Sequence, residues 1–241
     1  QEGYRRTDDY NREDQEGVGF FQMTMKNGMR CSAAAAYLKP IRSRKNLHII
    51  TRAHTDKIEF DGKRAIAVMT RVRGKSQRIK AGREIILSAG SIGSPQILML
   101  SGIGDQNDLG KHGITATHHL PGVGRNLQDH LQARPVFKCN ASTINTETKN
   151  PLRLASIALE YAFKRSGPMA MAASLGTAFL KTHDGLETPD IQFHLQPFSA
   201  DRVAEGSHKF SAFTASVLQL RPESVGHLEL VSADAADYPA I

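Results

Sequence analysis

The sequence predicts an α+β (mixed α/β) chain in which a β-meander and a strand-turn-helix unit precede an antiparallel sheet. Three observations carry this prediction. Short β-prone runs punctuated by glycine turns fill residues 47–88. An uninterrupted apolar run, Glu84-Ile-Ile-Leu-Ser88, closes in Ala89-Gly90 and gives way to helix formers. From Gly176 onward, strand-like runs follow one another without interleaved helices, the pattern of an antiparallel sheet.

The opening nineteen residues are polar and lack apolar periodicity, so they read as loop. Residues Ser32 to Leu38 are strong helix formers with Ser32 as N-cap and Pro40 as stop. Strands are expected at Leu47 to Thr51, Arg64 to Val72 and Arg83 to Ser88, with Asp61-Gly62 and Gly74-Lys75 as turns. The run at residues 84–88 has the composition of a strand buried on both faces, and Gly90 lets its carboxyl end turn tightly. Ser94 is a natural N-cap, Pro95 a first helical residue, Gln96 to Leu100 the helix and Gly102 its stop. Such a unit aims backbone N–H groups and the positive end of a helix dipole at whatever lies above the strand, which suits a phosphate or ribose. Local physics alone favours an ordinary strand-to-helix connection there.

Leu120 to His130 is dense in turn-formers, and Asn126, Asp129 and His130 read as groups that hydrogen-bond this loop to itself rather than as catalysts. Leu152, Ala155, Leu159, Ala162 and Phe163 recur at helical spacing and predict a helix over 152–164, ended by Gly167-Pro168. Strands follow at Gly176 to Leu180, Asp190 to Gln196, Phe213 to Leu220 and His227 to Ser232.

Composition narrows the function. With 241 residues, 40% apolar and 23% charged, disorder and fibrous design are excluded. No run approaches the ~18 apolar residues of a membrane helix, so no transmembrane segment is expected. Cys31 and Cys139 sit in no metal-ligand spacing, so a metal site is not expected, and they read as buried thiols. The net charge is +7, and residues 39–83 hold fourteen Lys or Arg against Asp56, Glu59 and Asp61. On alternating strands this reads as a solvated face, and base-stacking aromatics are scarce there, so nucleic acid is not the expected partner. The competing readings are a basic nucleic-acid-binding module and a catalytically silent structural domain.

Gly90-Ser-Ile-Gly-Ser-Pro-Gln-Ile-Leu-Met-Leu-Ser-Gly-Ile-Gly104, followed by Leu120-Pro-Gly-Val-Gly-Arg-Asn-Leu-Gln-Asp-His130, closely resembles the glucose-methanol-choline (GMC) family of FAD-dependent oxidoreductases. Asp9-Tyr-Asn11, Asn27-Gly-Met-Arg30, Tyr37-Leu38, Asn46-Leu47 and Leu220-Arg-Pro-Glu-Ser-Val-Gly226 fall in family order. The resemblance implies hydride transfer from an alcohol CH–OH group to flavin, in a choline dehydrogenase-like alcohol dehydrogenase. It implies a partial FAD-binding domain at 1–134 and a partial substrate-binding domain at 135–241. Thr55 falls where family members touch the adenine end of FAD, and Ala89, Gly90 and Ser91 fall near the cofactor. The antiparallel sheet becomes a pocket wall, with Leu175, Phe179, His194 and Phe198 as lining candidates, although a buried His is as readily a packing residue.

Two departures from the family pattern shape the expectation. No Gly-x-Gly-x-x-Gly occurs, because Gly102/Gly104 and Gly122/Gly124 lack the third glycine. The family's catalytic His and its His or Asn partner belong to a carboxyl-terminal segment, so none of the histidines here is assigned as the base. The chain, which begins at Gln1 without a signal peptide, therefore reads as the middle of a longer enzyme, with weak or absent FAD affinity and no activity alone. Choline-oxidising relatives place a carboxylate against the trimethylammonium group, and the corresponding position here is Leu175, which suits an uncharged alcohol. Scarce cysteine fits a cytoplasmic location, peripheral to a membrane electron-transport chain. The electron acceptor, oxygen or a quinone or cytochrome chain, is left open by these residues.

Overall fold

A computed structural model describes residues 3–201 and 206–241. In chain order, β1 (Gly17–Phe20), β2 (Met25–Lys26) and β3 (Met29–Arg30) precede a wide π turn at Ala34–Leu38 that runs into a 3-10 turn at Lys39–Ile41. There follow β4 (Ala53–Asp61), β5 (Arg64–Val72), β6 (Lys75–Lys80), α1 (Gly90–Leu100), β7 (Ile103–Gly104), α2 (Gln106–Lys111) and β8 (His118–His119). The remainder is β9 (Gln132–Ala133), β10 (Val136–Lys138), α3 (Ile144–Glu147), α4 (Pro151–Lys164), β11 (Gly176–Leu180), β12 (Ile191–Gln196) and β13 (Ala212–Gln219).

These elements form two compact units, and neither is continuous in sequence: residues 1–47 belong with 130–222, and residues 48–129 with 223–241. A single boundary near residue 134 therefore does not describe the compact units. β1 hydrogen-bonds to β11, which ties the amino-terminal segment to the later sheet. Leu228 N–H donates to the Gly124 carbonyl at 2.7 Å, which ties the last residues to the glycine loop.

In the 48–129/223–241 unit, β4, β5 and β6 form the expected antiparallel meander, with Gly62 at φ +56° in the first turn. Two strands differ from expectation. Among the described residues, 47–51 belong to no strand, and the first strand starts at Ala53. The third strand is the polar run Lys75–Lys80, not Arg83 to Ser88. A ladder needs a neighbour more than it needs greasy side chains: Lys75 pairs with Val72 across a tight turn, whereas residues 84–88 pair with no strand among the described residues and leave Ile86 80% exposed. The expectation of a strand buried on both faces is thus corrected. Lysines at both ends of the edge strand β6 also discourage further pairing.

Helix α1 begins at Gly90 rather than after Ser94. The Ser94 hydroxyl instead accepts the Ala89 N–H at 3.0 Å, and Pro95 lies inside the helix. Its carboxyl half buries Ile97, and Met99 and Leu100 join Leu109, Leu228 and Leu230 in one core. Ser101 locks helix to meander, accepting from Ile58 N at 2.8 Å while donating to Ile97 O. Gly102, at φ +82°, then ends the helix as expected. Residues 227–232 contribute only an isolated bridge, Glu229 to Ala240, instead of the expected strand.

In the other unit the sheet runs β1-β11-β12-β13-β10, antiparallel throughout, with β9 also on β13. β1 was not expected, since the opening reads as loop. Val18 and Phe20 are its only apolar side chains, and its ladder comes from pairing with β11. The Ser32 hydroxyl caps Ala35 N–H as anticipated, but Pro40 sits inside the 3-10 turn rather than stopping a helix, because an early turn position leaves its missing N–H unneeded. Helix α4 matches expectation, with Asn150 as N-cap.

Candidate functional site

The sheet's two faces can be read from the ladder, because directly paired residues share a face. Thr177 pairs with His194, and His194 pairs with Ser216. Phe179 pairs with Gln192, and Gln192 with Leu218. By the two-residue alternation of a strand, Leu175 joins Thr177 and Phe179 on this face. The register therefore brings Leu175, Phe179 and His194, three of the four expected lining residues, onto one surface. Phe198 lies two residues beyond β12, where its carbonyl accepts from Thr214 Oγ1 at 2.9 Å.

The chemistry of that face is unusual for a sheet in a protein interior. Along β13 the buried positions are Ala212, Thr214, Ser216 and Leu218, whereas Phe213, Ala215 and Val217 on the reverse side are half-buried. Gln192 Nε2 donates to Thr177 Oγ1 at 3.1 Å, and Gln196 Nε2 to Ser174 Oγ at 3.2 Å. Ser216 Oγ is buried without a hydrogen-bond partner among the described residues. Lys138 shares the face through its pairing with Ala212, and no carboxylate lies on this face in β9 to β13.

An aromatic cluster that the sequence reading missed abuts this surface. Tyr10 packs against Phe179 with ring centroids 5.1 Å apart, and Phe21 meets both Tyr10 at 6.2 Å and His194 at 4.9 Å, edge to face. Tyr10 Oη accepts the Gln22 N–H at 2.9 Å, so its polar end is satisfied. Tyr10 and Phe179 are both buried, so their ring faces are closed. Leu175 is half-buried, its N–H donating to the Leu195 carbonyl and its own carbonyl accepting from Phe21 N. Burial holds the His194 imidazole below its ordinary pKa, and His130 nearby adds to the effect, so the neutral form is favoured. Tyr10 lies in the segment read as loop. The alternation of β13 alone could have pointed to Ser216.

In the other unit, Ala89 is the N-cap of α1 and offers no side chain to its first N–H groups. Gly90 has φ +82°, and a Cβ added there would meet nothing within 4 Å. Ala89, Gly90 and Ser91 are all exposed. This open, uncapped helix start fits one edge of a flavin nucleotide: backbone donors are available, and a close approach meets no side chain. Thr55 lies on β4 opposite Thr70, next to a bulge at Asp56. Among the described residues no hydrogen bond joins Thr55 to the Ala89–Ser91 turn. A cleft of about 1240 Å³ opens beside β4, lined by Asp56, Ile58, Arg71, Ser101, Thr117 and Asp234, but neither Thr55 nor the turn lines it. Arg71 is held there by Asp56 at 2.8 Å and Asp234 at 3.2 Å. Arg78 pairs similarly with Glu59. Among the described residues no cluster of His, Cys, Asp or Glu could hold a metal, and Cys31 and Cys139 are free and half-buried rather than fully buried. No described helix is long and apolar enough to cross a membrane.

The profile of the family described as GMC oxidoreductase matches residues 1–132. Human mitochondrial choline dehydrogenase is 42% identical over 241 residues, covering 100% of this chain and 41% of the relative. An oxygen-dependent choline dehydrogenase of Brucella anthropi is 38% identical over 239 residues, covering 99% and 43%. The chain thus spans less than half the length of these relatives. Among solved structures, Aspergillus oryzae formate oxidase superposes with TM-score 0.83 at 21% identity, over 99% of this chain and 46% of that one. Pyridoxine 4-oxidase from Mesorbium loti gives 0.80 at 24%, over 98% and 43%. At such identities these two speak for the fold alone.

Proposed function

The chain belongs to the GMC oxidoreductase family, and we propose that it supplies the middle portion of an FAD-dependent alcohol dehydrogenase acting on CH–OH donors. The observation that carries this reading is Gly90: a left-handed glycine at an uncapped helix start, with open space where a side chain would stand. Ala89, Gly90 and Ser91 hold one edge of the cofactor, and Thr55 touches its adenine end. When bound, FAD supplies the hydride acceptor. The chain's own residues position the cofactor and shape the wall that receives the alcohol. The 241 residues alone bind FAD weakly or not at all and do not turn over, because the glycine-rich phosphate loop and the catalytic His with its partner are contributed by other parts of the enzyme.

The pocket wall is the sheet face bearing Leu175, Phe179 and His194, with Phe198 at its margin. The preferred substrate is an uncharged alcohol. Three features support this: Leu175 is apolar, no carboxylate lies on the face in β9 to β13, and the rings of Tyr10 and Phe179 are closed against each other. A quaternary ammonium group would find neither counter-charge nor an open aromatic cage. The nucleic-acid reading of residues 39–83 is less well supported, since Arg71 and Arg78 are already engaged with carboxylates.

Turnover of the flavin-loaded, full-length enzyme tests the substrate. Aliphatic or aryl alcohols are expected to be preferred, and a ten-fold preference for choline, about 1.4 kcal/mol, would overturn the assignment. Retention on heparin with steep salt dependence would instead favour the binding module.

A further inference from the structure

The sheet bearing Leu175, Phe179 and His194 has one closed edge and one open edge. At β1 the amino-terminal segment closes it: Thr7 N–H donates to the Val18 carbonyl at 2.9 Å, and Val18 N–H to the Arg5 carbonyl at 2.8 Å. The other edge is longer than β9 or β10 taken singly. Both lie on β13 in one register, with Gln132 opposite Leu218, Ala133 opposite Val217, Val136 opposite Thr214 and Lys138 opposite Ala212. That register continues past and between them. Gln219 N–H donates to the Leu131 carbonyl at 3.4 Å, and Ala215 N–H to the Pro135 carbonyl and Cys139 N–H to the Ser211 carbonyl, both at 3.1 Å.

These bonds fix which way the backbone points. In an antiparallel pair alternate residues bond the partner, so Leu131, Pro135 and Cys139 face β13, while Gln132, Arg134, Val136 and Lys138 turn their N–H and C=O groups outward. Pro135 lacks its N–H on the inner side and leaves the outward row unbroken. Residues 131–138 are all exposed, and no described strand pairs with their outer side. An open edge of this kind is a template for one more strand.

The side chains select that strand. Arg134 and Lys138 alternate onto one face, and Leu131, 80% exposed, and Phe137, 47% exposed, onto the other. Arg134 Nη2 meets the neutral Gln196 Oε1 at 3.4 Å, and Lys138 Nζ stands 4.8 Å from the centre of the uncharged Phe210 ring. Among the described residues neither cation is offset by a carboxylate. A second copy joined through the same edge would crowd the cations of both copies onto one face of the merged sheet, which disfavours self-pairing. A strand that alternates acidic and apolar residues sets carboxylates against the cations and apolar groups beside Leu131 and Phe137.

We propose that the edge formed by residues 131–139 binds an extended acidic peptide by strand addition, with main-chain hydrogen bonds from Gln132, Arg134, Val136 and Lys138 and charge recognition by Arg134 and Lys138. Titration of the full chain with a labelled peptide of about eight residues alternating glutamate and valine, followed by fluorescence anisotropy, tests this, with the lysine–valine peptide as reference. The acidic peptide is expected to bind about ten-fold more tightly or better, to weaken in salt, and to slow amide exchange at Arg134, Val136 and Lys138 while Cys139, already bonded, changes little. Val136→Pro removes an outward N–H and no bond to β13, and is expected to weaken binding about ten-fold. Arg134→Glu/Lys138→Glu is expected to turn the preference toward the lysine peptide. The altered side chains are exposed, and an unchanged circular dichroism spectrum shows that both variants fold. The proposal is overturned by no binding of the acidic peptide, by equal affinity for the two peptides, by binding that neither variant alters, or by a dimer that Val136→Pro dissociates. Peptide binding by this chain that the full-length enzyme lacks would overturn it as well, since the edge would then be covered by polypeptide.

Discussion

His194 on β12 and Ser216 on β13 stand directly opposite each other in the antiparallel ladder, and the serine hydroxyl, wholly buried, has no hydrogen-bond partner among the described residues. A buried hydroxyl without a partner has lost its water and gained nothing in exchange. Ser216→Ala removes that group while changing volume little, so it is expected to stabilise the chain by about 1 kcal/mol. Urea unfolding with an unchanged m-value and a higher midpoint would show this. A lower midpoint would mean that the hydroxyl has a partner in solution.

His194 makes the same unit sensitive to acid. Its imidazole is held below the ordinary His value first by burial and then by His130. As pH falls through about 6.5, the unfolded chain takes up a proton at this position while the folded chain does not. The His194 contribution to stability is therefore complete above that pH and declines below it, until the folded imidazole protonates in turn. His194→Gln is expected to flatten this part of the stability–pH curve. Equal slopes for variant and wild type between pH 7 and pH 5 would contradict it.

Asn145 organises the far end of the sheet. Its Nδ2 donates to Ser199 Oγ at 2.8 Å and to the Phe210 carbonyl at 3.1 Å, and its Oδ1 accepts from Ser199 N at 3.0 Å. The residue is fully buried, so truncation orphans several groups at once. Asn145→Ala is expected to cost about 2–4 kcal/mol. Asn145→Asp, which exchanges a donor for a buried charge, should cost at least as much. A chemical-denaturation series on the two variants checks the magnitude and the ordering.

How far these features could be read from sequence depends on whether they are local. β5 and β11 fall where expected because β-prone residues and nearby turn signals specify them together. β1 escaped because its ladder is made with β11, far away in the chain, and its four residues, two of them glycine, carry almost no pattern. Residues 84–88 fail in the opposite sense: their composition suits a strand, and the partner is missing among the described residues. The spacing of α4 was legible, but which side of it would be buried was not, since periodicity marks an apolar stripe without naming what covers it. At the candidate site, Gly90 announced itself by its position before a helix. Tyr10 and Phe21 did not, because their packing on Phe179 and His194 arises only once β1 joins the sheet.

Glycines with positive φ separate strain from contact. Gly124 has φ +79°, and a Cβ there would lie 2.5 Å from the Leu228 carbonyl oxygen, so Gly124→Ala must displace the backbone that donates Leu228 N–H to Gly124 and is expected to cost about 2 kcal/mol or more. Gly62 and Gly90 also have positive φ, but both face open space, so alanine at either should cost only the backbone term of about 1 kcal/mol. The two should then diverge in function. In the full-length enzyme Gly90→Ala is expected to weaken FAD binding by about ten-fold, because its methyl group intrudes where the cofactor approaches, while Gly62→Ala leaves binding unchanged. Flavin titration followed by absorbance, run beside thermal unfolding, reads both quantities. Equal FAD affinity in the two variants would remove the helix start of α1 from the cofactor site.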